Sequence, residues 1–196
     1  MGFAIDIPLP IRISLDQPMS VEDFWRISAE NPDLRVERAA TGELIVMTPT
    51  LGGASFRNAY VIRALGTWAD IDGKGSVLES NAGCQLSDGS VLCPDAAWIS
   101  HARWVPPSPD EADNAVPCPE FVIELRSSTD RLKPLREKME VWLANGAELA
   151  WLIDPSRKAV EIYRPHRDPE ILEGGSVVEG EGPVAGFVLE LGRIWT

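Results

Sequence analysis

Apolar and polar positions along this chain change period several times, and each change marks an element. Residues 1–18, interrupted by Pro8, Pro10 and Pro18, read as an extended N-terminal arm. Ser20-Val21-Glu22-Asp23 has the hydroxyl-then-acid spacing of a capping box and opens a helix that should stop at Asn31-Pro32. Two strands, about 34–40 and 43–48, then meet at Thr41-Gly42 as a hairpin. Phe56, Tyr60, Leu65 and Trp68 recur at helical spacing, predicting a second helix over about 54–70 that ends at Asp72-Gly73. Strands are expected at about 76–80 and 82–86, followed by a tight turn at Asp88-Gly89 and the apolar run Val91 to Ile99. A proline-rich acidic loop covers 104–117.

The second half has a simpler rhythm. Phe121-Val122-Ile123-Glu124-Leu125 reads as a buried strand, and the next helix must start between Asp130 and Pro134 because proline is tolerated only in a first turn. Asn145-Gly146 ends it. Strands at 151–153 and 159–163 are joined by the turn Asp154-Pro155-Ser156, residues 165–183 are turn-rich and acidic, and 186–191 form a last short strand. No internal repeat or linker is visible. The pattern describes one α/β (α+β) domain spanning 1–196, a mixed sheet with helices packed against it.

Composition narrows the function classes. The 196 residues, 44% of them hydrophobic, suffice for one domain with its own core, and no apolar run is long enough for a membrane span. Without a basic, apolar leader, and with three cysteines (Cys84, Cys93, Cys118) at no metal-ligand spacing, the chain reads as a cytoplasmic protein with reduced thiols. The net charge of −12 weighs against a general nucleic-acid-binding surface, so any such contact must come from a local site.

Glu37, Asp95 and Glu124 lie in or at the edge of otherwise apolar strands. A lone buried carboxylate costs several kcal/mol (~), so each needs a proton, a cation or an ion-pair partner. The ordinary readings are a strand-start cap for Asp95, a cross-strand partner for Glu37, and an ion pair of Glu124 with Arg126 or Arg38. The functional reading is a shared divalent ion: magnesium takes one or two carboxylates together with phosphate oxygens, the arrangement a metal-assisted phosphodiester hydrolase needs. On the helix after Asp130, Leu135, Met139, Trp142 and Leu143 share one arc, and Lys138 falls on its flank at roughly 240° from Leu132. There it can lay its stem along the core edge and return its ammonium to the sheet, or it can be one more solvated helical lysine. Strand alternation puts Arg126 on the same side as Glu124, as a phosphate contact or as its counter-ion. His101 and His166 read as surface residues, and Trp98, Trp142 and Trp151 as core.

Five stretches carry a resemblance: VERAATGELIVMTP (36–49), CPDAAWIS (93–100), PEFVIELRSSTD (119–130), REKMEVWLANGAELAWLIDP (136–155) and VEIYRP (160–165). In this order and spacing they resemble the Uma-two family of restriction endonucleases, within the PD-(D/E)xK nuclease superfamily. The resemblance implies a restriction-endonuclease-like fold, a central mixed sheet flanked by helices with an N-terminal helix and hairpin, and a magnesium-dependent site acting on DNA, with manganese as a substitute. It implies that Asp95, in Pro94-Asp95, and Glu124 hold the metal, that Glu37 is the additional acid, and that Arg126 stands where the superfamily has its strand lysine. The lysine role then falls to Lys138. The family's Ser-Pro-Ser is Ser127-Ser128-Thr129 here. A homodimer would suit an enzyme that cuts two strands. The arginine in place of lysine and the acidic balance also accommodate a different class of function, a nuclease fold kept as a binding or assembly module with a weak site.

Overall fold

The computed structural model describes residues 10–47, 52–106 and 115–196. The start of the expected arm, the end of the hairpin's second strand and the middle of the proline-rich loop lie outside the described residues. In chain order the elements are β1 (Ile11–Ile13), α1 (Val21–Glu30), β2 (Val36–Arg38), β3 (Leu44–Val46), α2 (Gly52–Asp72), β4 (Gly75–Leu78), β5 (Cys84–Gln85), β6 (Val91–Leu92), β7 (Ala96–Ser100), β8 (Phe121–Leu125), α3 (Leu132–Ala144), β9 (Leu149–Asp154), β10 (Ala159–Tyr163), β11 (Glu170–Glu173), β12 (Val177–Glu179) and β13 (Val188–Glu190). A 3-10 turn covers Gly182–Val184.

The local signals act as their chemistry dictates. Ser20 caps α1 by accepting the Asp23 amide at 3.0 Å. Gly42 adopts φ +83° in the hairpin turn, and a side chain there would meet Pro18, so the turn admits only glycine. Pro134 sits in the first turn of α3, and Gly146 leaves its C-terminus with φ +111°.

The strands form a six-stranded sheet ordered β11-β10-β9-β8-β7-β4, a five-stranded sheet ordered β1-β3-β2-β6-β5, and the pair β12-β13. In the six-stranded sheet β8 and β9 are parallel, joined by α3 as crossover, while the other pairs are antiparallel. One face buries Trp98, Phe121, Ile123 and Trp151 against α2 and Phe187. The other buries Ala97, Val122, Ala150 and Leu152 against Met139 and Trp142 of α3. No helix among the described residues is long and apolar enough to cross a membrane.

Two details add to the sequence reading. The apolar run Val91 to Ile99 holds two strands: β6 belongs to the five-stranded sheet and β7 to the six-stranded one. Pro94 lies in the break, where its missing N–H would otherwise interrupt a ladder. The chain thus changes sheets across Cys93-Pro94-Asp95. The acidic segment 165–183 also holds β11 and β12, short strands at the margins of the core. Their acidic, exposed positions hide the period that identifies longer strands.

A buried ion network fixes α3 on its sheet. Glu161 of β10 is 1% exposed and accepts two bonds from Arg136 (2.9 and 2.6 Å), one from Tyr163 (2.8 Å) and one from Arg157 (3.2 Å). Burial alone would raise its pKa, but these donors outweigh it and hold the carboxyl below its ordinary value of 4.5. A depressed pKa contributes stability above that value, which is lost as pH falls. Glu161→Gln is therefore expected to lower stability by about 1–3 kcal/mol at neutral pH. In urea titrations the gap from wild type should narrow in acid; a gap that stays constant down to pH 3 would refute the charge assignment.

Candidate active site

Alternation along the strands brings the acids to α3. Ala97 and Val122 face that helix, so Asp95 and Glu124, each two residues away in register, point to the same side. Ala96 pairs with Ile123, and the Asp95 amide donates to the Ile123 carbonyl at 3.2 Å, which sets Asp95 beside Glu124 where the two strands end. Asp95 Oδ2 also accepts the Leu125 amide at 2.8 Å. That is the capping role expected of a strand-start aspartate, and it occupies only one carboxylate oxygen.

Lys138 joins the two large sheets. Its ammonium donates to Glu37 Oε1 and to the Cys93 carbonyl oxygen, each at 2.8 Å, and stands 2.9 Å from Glu124 Oε1 as an ion pair. Glu37, in β2, is 3% exposed and also accepts the Cys93 amide at 2.9 Å. The lysine is not a solvated helical residue, and Glu37 reaches across to α3 instead of pairing within its hairpin. One turn along α3, the Trp142 indole N–H donates to Glu124 Oε1 at 3.0 Å. Trp98, Trp142 and Trp151 are all core residues as expected, yet only Trp142 of the three has a partner for its N–H. Its place four residues after Lys138 was the sequence signal for this second role.

The arginines are arranged differently from the sequence reading. Arg126 donates to Asp154 Oδ2 at 2.7 Å and to the Asp130 carbonyl at 3.2 Å, so it is not the counter-ion of Glu124. Arg38 donates to the Met19 carbonyl at 2.9 Å and likewise leaves Glu124 to Lys138. Among the described residues the cation within 4 Å of Asp95 is Arg35, whose Nη2 stands 3.6 Å from Oδ1. Nothing in the periodicity singles it out, since a charged residue at the mouth of a hairpin reads as solvated. His101 and His166 are exposed, and Cys84, Cys93 and Cys118 are buried and free of disulfides.

Three acids thus face two cations in a largely dry setting. Burial pushes Glu124 up to about 7; Lys138 works against this, while Asp95 and Glu37 add to it. Burial also raises Asp95, against the Leu125 amide, Lys138 and Arg35. Burial disfavours the charged form of Lys138, but Glu124 and Glu37 outweigh it and the ammonium is held above its ordinary 10.5. Burial drives the Cys93 thiol up to about 12, so it is no nucleophile at neutral pH.

The raised pKa of Glu124 has a stability consequence. Below 4.5 the acid is protonated in both states, and as pH rises toward about 7 the unfolded chain releases a proton that the native site retains. Native stability should therefore fall over this window, by at most about 3 kcal/mol. Glu124→Gln is expected to flatten that fall. Parallel slopes for variant and wild type in melts from pH 4.5 to 7.5 would count against the assignment.

A family model described as "Putative restriction endonuclease", Uma2, matches residues 21–192. The chain belongs to the Uma2 family. No curated protein matches this Uma2 chain. Among solved structures it is similar to one titled "Crystal structure of a putative nuclease belonging to DUF820 from Anabaena variabilis ATCC 29413". The two are 18% identical with a TM-score of 0.76, over 91% of this chain and 98% of the other. That likeness shows that the two proteins share a fold over nearly the whole of this chain.

Proposed function

We propose that this chain is a magnesium-dependent endonuclease that hydrolyses phosphodiester bonds of DNA, with manganese able to substitute. The observation that carries the reading is the side-by-side placement of Asp95 and Glu124 at a strand end, with the Lys138 ammonium 2.9 Å from Glu124. Family membership supports the same chemistry.

The donor set fits a hard divalent ion held mainly by its substrate. Among the described residues no three of His, Cys, Asp and Glu converge as a ready-made cage. Two carboxylates are what magnesium commonly takes from a protein, with water and phosphate oxygens completing the shell. Glu124 Oε1 is already taken by Lys138 and Trp142, so Oε2 is the oxygen left to ligate, alongside Asp95 Oδ1. When bound, the ion would lower the pKa of a water and offset charge on the phosphate.

Lys138, held in its charged form, would act as a donor that orients the attacking water and stabilises developing negative charge. It is not a general base. Glu37 holds the lysine in place and can reach the ion through water. Arg126 has engaged its Nε and Nη1, which leaves Nη2 for a phosphate contact. A second copy of the chain would supply a second site for cutting both strands.

A binding or assembly module without turnover is the rival, and one observation favours it: Lys138 already neutralises part of the acid cluster that a metal would occupy. Incubating supercoiled plasmid with the protein in magnesium or manganese, against a chelator control, separates the two. Nicked or linear product only with metal supports the nuclease. Calorimetry showing magnesium bound no more tightly by wild type than by Glu124→Gln would favour the module.

A further inference from the structure

Arg35 carries a guanidinium whose hydrogen bonding is incomplete. Its Nε is buried and has no hydrogen-bond partner. Its contact with Asp95, Nη2 to Oδ1 at 3.6 Å, is close enough for ionic attraction and too long for a hydrogen bond. Buried donors are nearly always satisfied in native proteins, and one left open calls for a missing partner. Asp95 does not serve, because its Oδ2 is turned to the Leu125 amide.

The location narrows what that partner is. Arg35 immediately precedes β2, two positions before Glu37, and its side chain as a whole is 21% exposed although Nε itself is buried. It is always charged, and its planar fork matches the oxygens of a phosphate. Arg126, the arginine that strand alternation pointed to, is held by Asp154 and the Asp130 carbonyl. Positive charge beside the carboxylates would also relieve their repulsion of an incoming anion.

We infer that Arg35 is a substrate-binding residue that holds a backbone phosphate of the nucleic acid next to Asp95. The inference rests on the nuclease reading and deepens it, since it assigns the strand contact at that same site. It also supplies a local cation in a chain whose net charge of −12 opposes DNA approach.

The test is fluorescence anisotropy of a labelled DNA duplex, in chelator to prevent cleavage, over a range of salt concentrations. Arg35→Gln should weaken binding by about tenfold or more and make the log–log salt slope shallower by about one, the signature of one lost phosphate contact. Arg35→Lys retains the charge without the fork, so it should restore the slope and only part of the affinity, and it guards against a folding defect in the glutamine variant. Equal affinity and slope for wild type and Arg35→Gln, with tighter magnesium binding by the variant, would make Arg35 a mere counter-ion of Asp95. Failure of wild type to retain the duplex at low salt would overturn the nuclease reading along with this assignment. Retention by both proteins alike overturns this assignment alone.

Discussion

Lys138→Ala is expected to reduce metal-dependent DNA cleavage by about 100- to 1,000-fold, the range associated with losing one positioned donor. The same change should destabilise the fold. Glu37 and Glu124 would lose the ammonium at 2.8 and 2.9 Å, and the Cys93 carbonyl would lose its donor. Breaking a buried pair by deleting one partner costs about 3–5 kcal/mol. Because Lys138 is the main influence holding Glu124 down against burial, its removal shifts that acid further toward the protonated form. The stability deficit should therefore shrink in mild acid while activity stays lost. Activity can be separated from stability by assaying cleavage well below the melting temperature of the variant. Cleavage equal to wild type there would remove Lys138 from the active site.

Asp95→Asn should have a comparable effect on activity with a smaller effect on stability. The amide oxygen can still accept the Leu125 N–H, so the strand end keeps its cap while losing its charge. Loss of one of two carboxylate ligands is expected to weaken magnesium binding beyond calorimetric detection and to reduce cleavage by about 1,000-fold. Asp95→Ala removes the acceptor as well and should cost a further 1–3 kcal/mol or so, because the part-buried amide is left unpaired. Comparison of the two separates the local structural role from metal binding. Magnesium affinity unchanged in Asp95→Asn would refute its role as a ligand.

These residues were readable from sequence to different depths. Glu124 stood out because a carboxylate within Phe121–Leu125 demands compensation, and Lys138 because its angular position flanks the buried arc of α3. Both are properties of a single element, which periodicity reports directly. Glu37 could be found as an inward-facing acid, but its meeting with Lys138 depends on how two sheets dock. Pro94 marked a break in the apolar run without saying that the chain changes sheets there. Arg126 illustrates the limit of face alternation: the side is correct, yet the parallel pairing of β8 with β9 brings Asp154 within 2.7 Å and engages the guanidinium. Arg35 was overlooked because its burial comes from the assembled site.

The 101-residue separation between Lys138 and Glu37 has a consequence for the order of folding. Glu124, α3 and Trp142 belong to one contiguous β-α-β unit, whose contacts close short loops and form early. Glu37 arrives only when the five-stranded sheet docks. Until then Glu124 alone would neutralise the lysine; docking adds a second carboxylate and reduces solvent access at the same moment. The last major assembly step of the chain is thus expected to be the step that completes its site.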